Sequence, residues 1–224
     1  MSFVGVIGVV VAYAGAMAYV EAALVVDLNR ALGQEIGALF PLPERMTVDP
    51  LIVIEGGREV ATMVMLAAVG ILTGLSRWER LAWTAVAFGT WDIAYYGWLH
   101  AFTGWPPSLA TWDLLFLVPM PWAGPVWAPL AVSVALIGFG LAAARRLRWG
   151  GRVRVGRRHV VAALAGGLLV ILSFTIDTPR LLAGGAPDGY TWPLLAAGIG
   201  LAALAALDVL GFRSGAGPPV AEPR

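Results

Sequence analysis

Apolar runs long enough to cross a lipid bilayer recur along the chain, and they limit its fold more than any other feature. A helix needs about 20 mostly apolar residues to cross the hydrocarbon core of a bilayer. Only 13% of the residues are charged, about half the share that is typical of a soluble domain. We therefore predict an all-α, polytopic membrane helix bundle with six transmembrane helices. The predicted spans are Phe3–Val26, Leu51–Leu75, Leu81–Phe102, Val126–Ala144, Val160–Ile176 and Thr191–Phe212.

The segment between the third and fourth spans, Gly104–Pro125, is rich in proline. Its prolines are Pro106, Pro107, Pro119, Pro121 and Pro125. Because proline lacks a backbone donor and breaks helices, the segment is not predicted to be a seventh span. Residues Pro107–Val118 are instead predicted to form one short helix that is interfacial or re-entrant.

A single integral membrane domain is predicted for residues 1–212. The first span carries Glu21 and has no basic residue before it, which favours a retained helix over a cleaved signal peptide. Residues 213–224 are rich in Gly and Pro, and they are predicted to form a disordered cytoplasmic tail.

Neighbouring glycines in the last three spans predict close contacts between helices. A residue without a side chain lets two helix backbones approach each other. The glycines concerned are Gly138 and Gly140, Gly166 and Gly167, and Gly198 and Gly200.

Arginine placement orients the predicted bundle. The loop Arg145–Arg158 holds seven arginines, and basic loops stay on the cytoplasmic side of a membrane. With six spans, both termini are then cytoplasmic, and the protein is expected in the plasma (inner) membrane. Eleven arginines fall inside, namely Arg77, Arg80, Arg145, Arg146, Arg148, Arg152, Arg154, Arg157, Arg158, Arg213 and Arg224. Four fall outside, namely Arg30, Arg45, Arg58 and Arg180.

An alternative interpretation of the basic loop is that it binds nucleic acid or anionic lipid. We prefer the topological interpretation and predict no nucleic-acid partner. His159, beside the loop, is then expected to be a solvated loop residue. The predicted partners are the lipid bilayer and other membrane chains, in a homo-oligomer or a larger membrane complex.

Missing residue types exclude several cofactors. The chain has no cysteine, which rules out disulfides, thiolate nucleophiles and iron–sulfur clusters. It has no lysine either, so neither retinal nor pyridoxal phosphate (PLP) can be held as a Schiff base. His100 and His159 are the only histidines, which disfavours bis-histidine haem ligation.

Carboxylates inside the predicted spans gather in the outer half of the membrane. A charge at the centre of a bilayer costs about 2.5–3.5 kcal/mol on insertion scales, so each carboxylate is a candidate functional residue. At a rise of 1.5 Å per residue, Glu21 lies about 9 Å below the outer end of its helix. Glu59 and Asp92 lie about 12 Å below the outer ends of theirs. In the inner half we expect only Asp208.

Residue spacing places these groups on shared helix faces. Glu55 and Glu59 are four residues apart, and Arg58 lies on nearly the same side of the helix. A second polar stripe comprises Asp92, Tyr95, Tyr96 and His100. If the first three spans pack together, the carboxylates form a pocket that opens outward, with Gly104–Pro125 as its lid.

The predicted pocket suits a divalent metal ion and a lipid or small molecule from the outer leaflet. Several carboxylates with one histidine favour Mg, Mn or Fe(II), and Zn is a further option. The predicted catalytic groups are Glu59 and Asp92. The predicted metal ligands are Glu21, Glu55, Glu59, Asp92 and His100. The predicted substrate contacts are Arg58, Tyr95, Tyr96, Trp112 and Asp113.

Two other functions stay open at this point. The first is a structural or accessory subunit whose polar cluster holds helices together. Arg58 would then pair with Glu55 or Asp92, and Glu21 would bond to a tyrosine. The second is a transporter for protons or cations, which needs polar groups on the inner side, where the sequence offers few.

Three short stretches resemble a family of uncharacterised bacterial multi-pass membrane proteins. They are Trp91–Tyr96, Gly104–Leu109 and Trp112–Trp122. The likeness covers about a third of the chain, from Glu55 to Pro129. It implies a folded membrane unit, and no activity can be attached to it.

Overall fold

The computed structural model describes residues 1–33, 37, 50–151 and 153–211. Helices dominate this part of the chain, which agrees with the predicted all-α class. The helices are α1 (Phe3–Leu32), α2 (Pro50–Thr73), α3 (Arg77–Thr103), α4 (Trp127–Arg148), α5 (Arg157–Thr175), α6 (Thr178–Leu182) and α7 (Trp192–Val209). Two strands lie between α3 and α4, namely β1 (Trp112–Phe116) and β2 (Trp122–Pro125). The tail predicted to be disordered, 213–224, lies outside the described residues.

Five helical segments within the described ranges are long and apolar enough to cross a membrane. They are Phe3–Ala31, Val53–Thr73, Trp127–Arg148, Arg157–Leu182 and Trp192–Val209. Helix α3 has the length but carries more ionisable side chains, namely Arg77, Glu79, Arg80, Asp92 and His100. It packs against α1, α2 and α4, so neighbouring helices cover much of its surface.

Capping residues fix where α1 and α3 begin and end. Ser2 caps α1 and Ser76 caps α3, each accepting a backbone N–H from the third residue of its helix. Serine is favoured there because its hydroxyl satisfies a donor that the helix leaves unpaired. Gly33 and Gly104 end the two helices in the left-handed region, with φ of 64° and 75°.

The bundle consists of two groups of helices. In the first, α3 lies between α1, α2 and α4; in the second, α5 packs against α7. The face that α1 buries repeats every fourth residue, as expected for one stripe of a helix. Its members are Val6, Val10, Ala14, Ala18, Ala22 and Val26. Three of the six are alanine and the other three are valine, so α1 approaches its neighbours closely.

Half of the predicted glycine contacts are present. A Cβ on Gly140 would lie 2.8 Å from the Ala82 carbonyl oxygen of α3. At the crossing of α5 and α7, a Cβ on Gly166 would lie 2.7 Å from the Gly198 carbonyl oxygen, and a Cβ on Gly198 would lie 2.7 Å from the Gly166 carbonyl oxygen. The remaining glycines, Gly138, Gly167 and Gly200, face open space, so the prediction is wrong for those three.

The segment between α3 and α4 is a β-hairpin, and the predicted short helix over Pro107–Val118 is wrong. Strand β1 pairs antiparallel with β2, with Asp113 opposite Gly124. Pro119 and Pro121 stop a helix from continuing, and the backbone groups of β1 find partners in β2 instead.

The two ends of the bundle differ in charge. At one end α1, α3 and α5 begin while α2, α4 and α7 finish, as contacts between these termini show. We call it the basic end, since the arginine-rich loop after α4 lies there. The opposite end carries the β-hairpin, and we call it the hairpin end.

Candidate functional site

An ion-pair cluster joins α1 to α2 in the half of the bundle nearer the hairpin. Arg58 pairs with Glu55 on its own helix, with Nε 3.0 Å from Oε2, and also with Glu21 on α1. Thr62, one turn further along α2, donates its hydroxyl to Glu21. The predicted pairing of Arg58 with Glu55 is confirmed. The tyrosine partner predicted for Glu21 is wrong, because Arg58 and Thr62 occupy the face of α2 that meets α1.

Glu59 connects α2 to the turn of the β-hairpin. Its Oε1 accepts the Leu117 N–H at 2.8 Å, and its Oε2 accepts the Val118 N–H at 3.1 Å. The hairpin also lies close to α2 at Gly56, where a Cβ would come within 2.7 Å of Val118 Cγ2. Both carboxylate oxygens of Glu59 therefore accept hydrogen bonds from the backbone of the hairpin turn.

Two aspartates connect α3 to its neighbours. Asp92 accepts the Ser133 hydroxyl from α4 at 2.8 Å. Asp113 on β1 accepts the Tyr96 hydroxyl and the Leu114 N–H, both at 2.8 Å. Burial raises the pKa of Asp113 to about 6, against the effect of these two hydrogen bonds.

Three residues predicted to line the pocket, His100, Trp112 and Tyr95, make other contacts in the structure. His100, exposed in the last turn of α3, has its Nδ1 3.1 Å from the Pro106 carbonyl oxygen. Trp112 packs beside Leu181 and Tyr190, on the side of α5 and α7. Tyr95 stacks on Trp91 and contacts Tyr96, so it belongs to the aromatic core. The other predicted residues form four connections between elements: Arg58 joins α1 to α2, Glu59 joins α2 to the hairpin, Asp92 joins α3 to α4, and Asp113 joins the hairpin to α3.

The structure does not group the predicted metal ligands around one point. Within the described residues, no three His, Asp or Glu side chains are placed to hold a metal ion together. The oxygens of Glu21, Glu55, Glu59 and Asp92 contact protein donors instead. Metal binding stays a prediction from the sequence.

A second buried ion pair lies at the basic end. Glu79, 2% exposed, accepts the Leu75 N–H at 3.0 Å and the Trp83 indole N–H at 3.2 Å, and it pairs with Arg148. Arg148 also donates to the carbonyl oxygens of Thr73 and Met1. This one guanidinium therefore contacts the ends of α1, α2 and α3.

Glu79 lies at the same end of the bundle as Asp208, the one carboxylate expected in the inner half of the membrane. Helix α3 starts at Arg77, earlier than the predicted span, and this brings Glu79 into its first turn. The sequence contains a signal for this earlier start of α3. Ser76 followed three residues later by Glu79 is the pattern of a helix N-terminus.

His159 is not a solvated loop residue, contrary to the prediction. Helix α5 begins at Arg157, so His159 lies in its first turn and faces α7. Its Nε2 is 2.9 Å from Asp208, and its Nδ1 accepts the Gly156 N–H at 2.9 Å. Arg158 reaches the same aspartate at 2.8 Å. These contacts fasten the start of α5 to the end of α7.

No protein-family model, no curated protein and no solved structure matches this chain. The resemblance to a bacterial membrane family stays a prediction from short motifs. Any proposal about function therefore depends on the geometry described above.

Proposed function

We propose that this chain is an accessory membrane protein, a six-span helical scaffold that holds a β-hairpin rigidly over one end of the bundle. The observation that carries the proposal is the double hydrogen bond from the hairpin backbone to Glu59. A carboxylate that accepts two backbone N–H groups through its two oxygens fixes a loop, as caps fix helix ends.

The wider polar cluster supports this role. Arg58 connects α1 to α2, Asp92 connects α3 to α4, and Asp113 connects the hairpin to α3. Polar side chains that bond across helices hold membrane bundles together. Donors from other elements bond to the carboxylates of Glu21, Glu59, Asp92 and Asp113, as the scaffold role requires.

The hairpin end also offers a surface to another membrane chain. Leu109, Val118 and Met120 expose between 43% and 57% of their surface. Apolar side chains fixed at the rim of a bundle suit contact with a second membrane protein. The proposed partner is therefore another subunit of a membrane complex, docked at the hairpin end.

Helix α3 is proposed as the sixth span. Its Glu79 pairs with Arg148 at the basic end, and its Tyr96 donates a hydrogen bond to Asp113 of the hairpin. The arginine bias of eleven to four then puts the basic end and both termini in the cytoplasm of a plasma (inner) membrane.

The variant Glu59→Gln tests the scaffold role. Glutamine has one acceptor oxygen, so one N–H of the hairpin turn loses its partner and the other loses a charged acceptor. Losing a hydrogen bond to a charged group costs about 1.5–3 kcal/mol. We expect hydrogen exchange at Leu117 and Val118 to accelerate about tenfold or more. Hydrogen-exchange mass spectrometry on purified protein measures it.

Glu79→Gln is the matched control for that experiment. It weakens an ion pair at the basic end and is expected to lower the melting temperature without accelerating exchange in the hairpin. Unchanged exchange in Glu59→Gln would contradict the scaffold role. One metal ion per chain, lost on the same substitution, would favour the predicted metal site instead.

A further inference from the structure

A cavity lies between the ends of α4 and α7, at the basic end of the bundle. Its volume is about 510 Å³, and it is lined by Ala142, Arg145, Arg146, Trp149 and Leu210. The two arginines and the tryptophan are exposed, whereas Ala142 is half-buried and Leu210 is buried. The exposed part of its wall is therefore cationic and aromatic, and the buried part is apolar.

Arg145 and Arg146 differ in charge balance from Arg148 and Arg158, the two paired arginines at this end. Arg148 pairs with Glu79, and Arg158 pairs with Asp208. Across the described ranges, no carboxylate forms an ion pair with Arg145 or Arg146. Two positive charges of the cavity wall are thus left for an external anion.

Both guanidinium groups lie close to other parts of the protein at the cavity. The Arg145 guanidinium lies over the Trp149 ring, 5.4 Å from its centroid. Arg146 extends to the end of α7, where a Cβ on Gly211 would come within 3.1 Å of its Nη2. The contact with Trp149 limits the freedom of the Arg145 side chain before a phosphate binds, which lowers the entropic cost of binding.

We propose that Arg145, Arg146 and Trp149 bind the head group of an anionic phospholipid from the leaflet at the basic end. Guanidinium groups bind phosphate through paired hydrogen bonds, and indole rings favour the membrane interface. Basic pockets between membrane helices on this side are suited to phospholipid head groups. The apolar wall formed by Ala142 and Leu210 meets the start of an acyl chain, which a soluble anion lacks.

This lipid site is separate from the scaffold role. It depends on the membrane placement of α4 and α7, and it does not depend on Glu59 or the hairpin. The arginine-rich loop then has two uses, since part of it orients the chain and part of it binds lipid. Failure of the lipid test leaves the hydrogen-exchange test of Glu59→Gln unaffected.

The test compares two double variants that remove the same charge. Arg145→Gln/Arg146→Gln changes the cavity, and the matched control Arg154→Gln/Arg157→Gln changes exposed arginines outside it. Each protein, in uncharged detergent, is titrated with phosphatidylglycerol. Bound lipid is counted by native mass spectrometry, and the rise in melting temperature gives an independent measure of affinity.

We expect phosphatidylglycerol to bind the cavity variant about 30-fold more weakly than it binds the unchanged protein. For the control variant, we expect its affinity to fall less than about threefold. Arg145→Lys/Arg146→Lys keeps the charge and is expected to bind more tightly than the glutamine pair. Should the glutamine pair be unstable without lipid, Arg146→Gln alone is compared with Arg157→Gln alone.

Two further ligands test whether the cavity binds an anionic phospholipid or any phosphate. Phosphatidylcholine and inorganic phosphate are each expected to bind at least about tenfold more weakly than phosphatidylglycerol, because one carries no net charge and the other has no acyl chain. Equal losses in the two double variants, or equal binding of phosphatidylcholine, would overturn the proposal. Full competition by inorganic phosphate would also overturn it, in favour of a site for small anions.

Discussion

At the scale of the residue, ionisable side chains inside this bundle form ion pairs or hydrogen bonds with partners from other elements. Arg58 and Arg148 each bridge helices through a buried carboxylate, and Asp113 is held by a tyrosine hydroxyl. An unpaired charge in so apolar a setting would be costly, so these pairs fix which helices are neighbours.

Asp113 makes stability depend on pH. Its pKa in the folded protein is about 6, above the ordinary value of 3.8, because burial disfavours the charged form. The folded state therefore holds a proton between pH 3.8 and 6 that the unfolded state releases, and stability falls as pH rises through this window. The loss is on the order of 3 kcal/mol. We expect Asp113→Asn to flatten this dependence, measured as melting temperature against pH.

Asp188→Asn is the control for the pH experiment. Asp188 is exposed and paired with Arg180, which lowers its pKa, so its effect has the opposite sign. We expect this variant to keep the fall in stability towards pH 6. An unchanged slope in Asp113→Asn would show that another group is responsible.

Individual positions were predictable from the sequence to different degrees. The pair of Arg58 and Glu55 follows from local spacing, since residues three apart share a helix face. The bond between Glu21 and Thr62 joins residues 41 apart, and that between Glu79 and Arg148 joins residues 69 apart. Such partners depend on which helices pack together, and the sequence alone does not specify it.

At the scale of the element, glycines decide how closely α5 and α7 approach. A Cβ on Gly198 would lie 2.7 Å from the Gly166 carbonyl oxygen and 2.9 Å from the Val170 nitrogen. Both are backbone atoms, so the helices themselves would have to move apart.

The variant Gly198→Ala tests this contact. We expect it to destabilise the protein by about 1–3 kcal/mol, the usual cost of overpacking. Its matched control is Gly200→Ala on the same helix, which meets open space and adds helix propensity worth up to about 1 kcal/mol. Thermal unfolding of the two variants measures the difference. Equal effects would place the contact between α5 and α7 elsewhere.

Helices were predictable as elements, and the hairpin was not. Long apolar runs and the serine caps mark the helices locally. In the hairpin, β1 and β2 become strands by pairing with each other, and the Glu59 carboxylate holds their turn from a different helix. The prolines of this segment exclude a transmembrane helix, but they do not predict the hairpin that forms instead.

At the scale of the whole molecule, the six-span topology is testable because the chain has no cysteine of its own. Single cysteines at the exposed positions Arg77, Ser108 and Arg154 lie on either side of α3 and α4. We expect a membrane-impermeant maleimide to label Ser108→Cys on intact cells, and to label the other two only after permeabilisation. Labelling of Arg77→Cys and Ser108→Cys from the same side would show that α3 does not span.

The central place of α3 has a consequence for how the chain is made. Helices emerge from the ribosome in order, and α3 arrives with a carboxylate, Asp92, whose hydroxyl partner Ser133 belongs to α4. The ion pair from Glu79 of α3 to Arg148 also waits for α4. We expect α3 to partition into lipid poorly by itself and to be retained beside the insertion machinery until α4 is synthesised. We therefore expect insertion of this bundle to be cooperative across helices, with α3 and α4 entering the bilayer as a pair.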